Sequence, residues 1–206
     1  MNNQRLLIYL VVSMHIAGTI GLQTSWRWLF ELLTPLHLLT TTLILLWSQA
    51  QDRRYLLAGF IVMAITFIVE MIGVNTGLLF GEYSYGQALG PKFWGTPFII
   101  GCNWVLLSFS IGHIFYNWAA PIVLKSFFGA IIMVGVDVFI EPVAMANDFW
   151  SWKDDVVPMQ NYLGWGILSF LLFLGLFRWI RFEENRLAIW VFGAQVFFFL
   201  VLNNFF

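Results

Sequence analysis

Seven apolar runs divide this chain: Leu6 to Leu22, Leu29 to Trp47, Tyr55 to Ile72, Pro97 to Trp118, Ser126 to Ala146, Tyr162 to Ile180 and Leu187 to Val201. Each is read as one crossing of a hydrocarbon core ~30 Å thick. The pattern therefore predicts an all-α fold, a polytopic integral membrane bundle of about seven transmembrane helices. Little length remains between the runs, so residues 1–206 are expected to form a single transmembrane domain without internal repeats. The first run lacks a small-residue cleavage site and leads into Gln23, Thr24, Ser25 and Trp26, which predicts a retained helix and Met1 as the mature start.

Polar residues sharpen this picture where they break the apolar pattern. Asp137 and Glu141 stand four residues apart in the fifth run, about one helical turn, so both carboxyls share a face. A carboxylate in a bilayer costs at least ~2.5 kcal/mol on insertion scales, and a second beside it adds repulsion unless it is protonated or paired. Pro142 follows Glu141 and predicts a kink that opens the backbone beside the acids. At 1.5 Å per residue, Glu70 lies ~22 Å along the third span, and Asp137 and Glu141 lie ~18 and ~24 Å along the fifth. Asn103 and Trp104 fall ~8 to 11 Å below the start of the fourth, at a similar level. A buried polar chamber follows, roofed by the two longest loops, Gly73 to Thr96 and Asn147 to Asn161. In the first loop, Gly73, Gly77 and Gly81 recur at four-residue spacing, which predicts that the third span continues as a short helix and folds back.

Composition supports the membrane reading: 60% of the residues are hydrophobic and 10% charged, against about 25% charged in soluble domains. Arg5, Arg53, Arg54, Lys125, Arg178, Arg181 and Arg186 collect on one side of the spans, and Arg27, Lys92 and Lys153 on the other. That bias predicts a cytoplasmic N-terminus. It places Glu70, Asp137 and Glu141 toward the extracytoplasmic side. A net charge of −1 leaves no basic surface for nucleic acid. Cys102 is the only cysteine, which excludes an intrachain disulfide and a cysteine-cluster metal site. His15, His37 and His113 lie on separate spans without a shared motif, so packing or hydrogen bonding is favoured over metal ligation.

Several membrane activities fail on residue inventory. A retinal Schiff base needs a lysine within a helix, yet Lys92, Lys125 and Lys153 lie in loops or at a helix end. Di-iron hydroxylases need histidine clusters. Asp154-Asp155 alone does not supply the paired acidic motifs of a prenyl-diphosphate transferase. Tyr83, Tyr85, Trp94, Trp150 and Trp152 read either as an aromatic belt at headgroup level or as part of the chamber. For Asp137 with Glu141, a structural pair is the bland alternative to a catalytic or ion-handling one.

The string Glu70-x-x-Gly73-x-x-x-Gly77-x-x-x-Gly81-Glu82-Tyr83-x-Tyr85, then Gly101-x-Asn103-Trp104, then Asp137-x-x-x-Glu141-Pro142, Phe149-Trp150-x-Trp152 and Pro158-x-x-Asn161-Tyr162-x-Gly164-Trp165 resembles the membrane carotenoid biosynthesis protein family. That family includes the carotenoid 1',2'-hydratases and bisanhydrobacterioruberin hydratase. The family pattern often has Asp where this chain has Glu141, which keeps the carboxyl and lengthens its reach by one methylene.

The resemblance implies addition of water to the terminal C1',2' double bond of an acyclic carotenoid end group, giving a tertiary alcohol. Asp137, Glu141 and Glu70 would be catalytic, with Asp137 as general acid and Glu141 or Glu70 orienting and deprotonating water, or the reverse. Trp104, Glu82, Tyr83, Tyr85, Trp150, Trp152 and Tyr162 would line the end-group pocket, and Asn103 and Asn161 would fix the water or a carboxyl. No cofactor or metal is required by this scheme. The implied partners are the polyene, water and membrane lipid, with association with other carotenoid-pathway enzymes. The implied location is a prokaryotic cell (plasma) membrane. Two alternatives remain open: an end-group cyclase that excludes water, and a non-enzymatic proton-coupled carrier or binding protein.

Overall fold

The structure is a computed structural model describing residues 3–205. Seven helices run in the order α1 (Asn3–Gly21), α2 (Arg27–Trp47), α3 (Arg53–Thr76), α4 (Ile100–Ile114), α5 (Ile122–Ala146), α6 (Met159–Trp179) and α7 (Arg186–Asn203). Six of them are long and apolar enough to cross a membrane, and together they form a helical membrane bundle. The exception is α4. Its 15 residues extend only ~22 Å, shorter than the run Pro97 to Trp118 predicts.

The shortfall has a physical reason. Every residue from Ile100 to His113 is buried, because α4 is the axis of the bundle and packs against α2, α3, α5, α6 and α7. A helix surrounded by protein has no lipid thickness to match. Gly101 permits a close approach to α3: a Cβ there would stand 2.7 Å from the carbonyl oxygen of Met63.

At one end of the bundle the loops form short antiparallel ribbons. β1 (Tyr83–Tyr85) pairs with β4 (Trp150–Trp152), with Tyr83 opposite Trp152 and Tyr85 opposite Trp150. β2 (Lys92–Phe93) pairs with β3 (Thr96–Pro97) across Trp94 and Gly95, both at positive φ, as a two-residue hairpin turn of this hand requires. Trp94 is largely exposed at the tip, consistent with the aromatic-belt reading.

One local expectation changes. After Ile72 the third helix gains only one further turn, because Gly77 adopts φ +67 and caps it, its N–H donating to the Gly73 carbonyl. This left-handed stop is the usual glycine ending. The chain then returns as strand β1, not as a short helix. α5 runs through Pro142 to Ala146, where the fifth apolar run ends.

At the opposite end, the helix termini are tied by polar contacts. His113 Nδ1 lies 2.8 Å from the Glu183 carbonyl oxygen and His113 Nε2 lies 3.0 Å from the Tyr55 hydroxyl. Asn185 donates to Ser48 at 2.8 Å. His113 is thus a packing and hydrogen-bonding histidine, as its isolation in sequence predicts.

Candidate active site

Glu70 sits near the end of α3, and Asp137 and Glu141 sit one turn apart on α5. Their exposures are 3%, 0% and 2%, so each must be satisfied from within the protein. The ribbon β1–β4 does much of this. Side chains alternate across a strand, so Tyr83 and Tyr85 share one face, as do Trp150 and Trp152 opposite them, while Ser84 and Ser151 point outward to solvent.

The inward face delivers four polar heads. Tyr83 and Tyr85 hydroxyls both donate to Glu70 Oε2 at 2.7 Å. Trp150 and Trp152 Nε1–H groups both donate to Glu141 Oε2, at 2.9 and 2.6 Å. Trp104, from α4, completes Glu70 by donating to Oε1 at 2.9 Å. Its indole stacks on Trp165 of α6, with centroids 4.2 Å apart. Burial, followed by the nearby Glu70 carboxyl, pushes both ribbon phenols well above the ordinary tyrosine range, so they remain neutral donors.

Asn161, in the first turn of α6, joins the two acids of α5. Its Nδ2 donates to Asp137 Oδ2 at 2.7 Å and to Glu141 Oε1 at 3.0 Å. Glu70 and Glu141 therefore each accept from three donors. Asp137 differs: its Oδ1 is fully buried and has no partner. A buried carboxyl oxygen without a donor calls for a specific explanation.

Between Glu70 and Glu141 lies a cavity of about 20 Å³, walled by Phe80, Tyr83, Tyr85, Ile100, Trp150, Trp152, Asn161 and Trp165. A space of ~10 to 15 Å³ on this measure suffices for one water. A second, apolar cavity of about 330 Å³ lies between α1, α2, α4 and α7. Ile100 and Trp150 line both, so they form the partition between the polar and apolar spaces.

The structure thus brings together Glu70, Asp137, Glu141, Trp104, Tyr83, Tyr85, Trp150, Trp152 and Asn161. It places three other candidates elsewhere. Asn103 lines the apolar cavity with His15, His37 and Gln195, although it shares the depth of the acids. Glu82 is exposed and pairs with Lys153 at 2.7 Å. Tyr162, next to Asn161 on α6, is half-buried and outside the wall of either cavity.

The apolar cavity and the pairing of His15 with His37, at 3.3 Å between ring nitrogens, have no local signal in the chain. Trp165 had one, since it follows Asn161 by four residues and shares its helix face.

No solved structure matches this chain. A curated relative, the bisanhydrobacterioruberin hydratase of Haloarcula japonica, is 32% identical over 140 residues, covering 59% of this chain and 45% of the relative. The chain therefore spans less than half the length of that protein. The model of a family described as carotenoid biosynthesis protein matches residues 8–206. That match takes in the helices and loops that build the buried acids, and the chain belongs to the carotenoid biosynthesis protein family.

Proposed function

We propose that this protein is a carotenoid hydratase, adding water across the terminal C1',2' double bond of an acyclic end group to give a tertiary alcohol. The observation that carries the reading is the water-sized cavity between two triply hydrogen-bonded carboxyls, with a third carboxyl, Asp137, holding one unpartnered oxygen. Isolated alkenes react with water only through a strong, positioned acid, and the cation that follows must be stabilised until water arrives.

In this scheme Asp137 is the general acid and transfers its proton to the end-group carbon C2'. The alkene π pair forms the new C–H bond and leaves a tertiary cation at C1'. Water held between Glu141 and Glu70 attacks C1', and its surplus proton passes to one of those carboxylates. Return of that proton to Asp137 before the next turnover resets the site. Trp150, Trp152, Tyr83 and Tyr85 present aromatic faces and edges around this space, and such faces favour a nearby cation. Trp104 and Asn161 position Glu70 and the α5 pair.

The apolar cavity is suited to the isoprenoid segment that precedes the end group. α1 and α2 bear exposed Leu10, Ile16 and Leu32 outside the cavity wall, so the rest of the polyene would remain in lipid. The partition at Ile100 and Trp150 is then where hydrocarbon meets acid. The distribution of Lys and Arg supports a site on the extracytoplasmic side, and the family resemblance supports a prokaryotic plasma membrane as its location. Water-sized space beside the acids favours capture by water over the cyclase alternative, in which the cation would lose a proton instead.

Pigment mass tests the reading directly. Cells that supply an acyclic carotenoid, given this chain, are expected to accumulate a product heavier by one water. An isomer of unchanged mass would establish a cyclase, and unaltered pigment would favour a carrier.

A further inference from the structure

Four cationic side chains that the sequence scatters over three regions meet at the end of the bundle opposite the acids. Arg54 stands at the start of α3, Lys125 near the start of α5, Arg178 near the end of α6, and Arg181 just beyond it. All line a cavity of about 400 Å³. Asp52 is the only acidic residue on that wall, and its carboxylate already caps α3 by accepting the Arg54 backbone N–H at 2.8 Å. The formal charge of the wall is +4 − 1, or +3. Among the described residues, the ion pairs found use Arg27, Lys153 and Arg186, and none uses these four.

An excess of Lys and Arg at one membrane face is expected from topology. That bias accounts for their side and not for their convergence. Arg5, Arg53 and Arg186 share the bias and do not line this cavity. Like charges gathered without counter-charge repel, whereas a phosphate accepts several at once, arginine in bidentate fashion.

The remaining walls indicate what kind of phosphate. Phe177 and Trp179 line the same cavity, and the Lys125 ammonium lies 5.9 Å from the Phe177 ring centroid. Val123, Leu124 and Phe127 on either side of Lys125 are exposed apolar residues on α5. A headgroup seated among the cations would have its chains beside that surface.

We propose that this cavity is a binding site for the phosphodiester headgroup of an anionic membrane lipid. It is independent of the hydratase reading, since Arg54 and Glu70 are separated by sixteen helical residues, ~24 Å.

Native mass spectrometry of the full chain in neutral detergent tests it, with phosphatidylglycerol, phosphatidylcholine and inorganic phosphate as probes. Phosphatidylglycerol is expected to be retained and phosphatidylcholine lost. At ~1 kcal/mol per basic residue near an anionic headgroup, each removed cation should weaken retention about fivefold. The combined Lys125→Gln, Arg178→Gln and Arg181→Gln variant should then bind about 100-fold more weakly. Raising salt on the unsubstituted protein should weaken phosphatidylglycerol retention in parallel, a check that needs no variant. Equal retention of both lipids, or retention indifferent to the substitutions and to salt, would overturn the proposal. Displacement of the lipid by millimolar inorganic phosphate would overturn the lipid assignment in favour of a free-anion site.

Discussion

Replacing Asn161 by Leu separates a structural role for the polar cluster from a chemical one. Leu has the same number and branching of heavy atoms but cannot donate, so the change deletes the 2.7 Å bond to Asp137 and the 3.0 Å bond to Glu141 together. Asp137 then loses its sole partner, because its other oxygen has none. Hydrogen bonds inside membrane proteins contribute ~0.6 kcal/mol each to folding on average, so two lost bonds should lower stability by roughly 1 kcal/mol. Bonds to ionised groups that must hold a geometry are worth ~1.5 to 3 kcal/mol each. If both are expressed in the transition state, the loss is ~3 to 6 kcal/mol, or about 10²- to 10⁴-fold in rate. The two magnitudes are far enough apart to distinguish. Hydrated pigment per unit of membrane-inserted protein gives the rate, and unfolding in detergent gives the stability. Wild-type hydration with the modest stability loss would refute the placement of Asn161 in the chemistry. Asn161→Gln, which keeps the donor on a longer stem, should recover part of the activity.

Four further outcomes are expected. Asp137→Asn should abolish hydration while insertion and abundance stay intact, since the unpartnered oxygen contributes no bond to the fold; full activity would remove Asp137 as the acid. Glu141→Asp should retain partial or full activity in the same pigment assay, because the carboxyl survives one methylene shorter. Trp104→Phe removes the 2.9 Å bond to Glu70 but keeps a ring over Trp165, so hydration should fall about tenfold or more with little loss of abundance. Raised tyrosines give the pH prediction. The folded protein keeps protons on Tyr83 and Tyr85 that the unfolded chain releases above about pH 10. Stability should therefore decline as pH rises past that value, and ultraviolet titration of the folded protein should leave these two phenols un-ionised there.

Much of the site was legible because its parts sit on helices with regular spacing. Asp137 and Glu141 had to share a face at four residues' separation, and their depth matched that of Glu70 by counting rises alone. Asn103 shows the limit of that argument. Depth fixes a level and leaves the azimuth free, so Trp104 turns to Glu70 while its neighbour Asn103 turns to the apolar cavity. Glu82 shows a second limit. It stands just before β1, outside the strand whose alternation aims Tyr83 and Tyr85 inward, and its side chain meets Lys153 at the surface. Hydropathy overstates the length of α4 because it cannot tell lipid from protein as an apolar surrounding. The ribbon itself was hidden, since its strands are three residues each and lie 67 residues apart at Ser84 and Ser151.

That ribbon also repeats a theme. Each strand follows a helix bearing a glutamate and reaches back to it with an aromatic-x-aromatic pair, Tyr83 and Tyr85 to Glu70, Trp150 and Trp152 to Glu141. Because strands alternate, a slip of one residue in either would aim its two donors at water and turn a serine inward. No intermediate register keeps half of a strand's bonds. Assembly of each carboxyl's surroundings is therefore a digital event, and since the strands hold one another in place, an error in one loop should disarm the acid beneath the other.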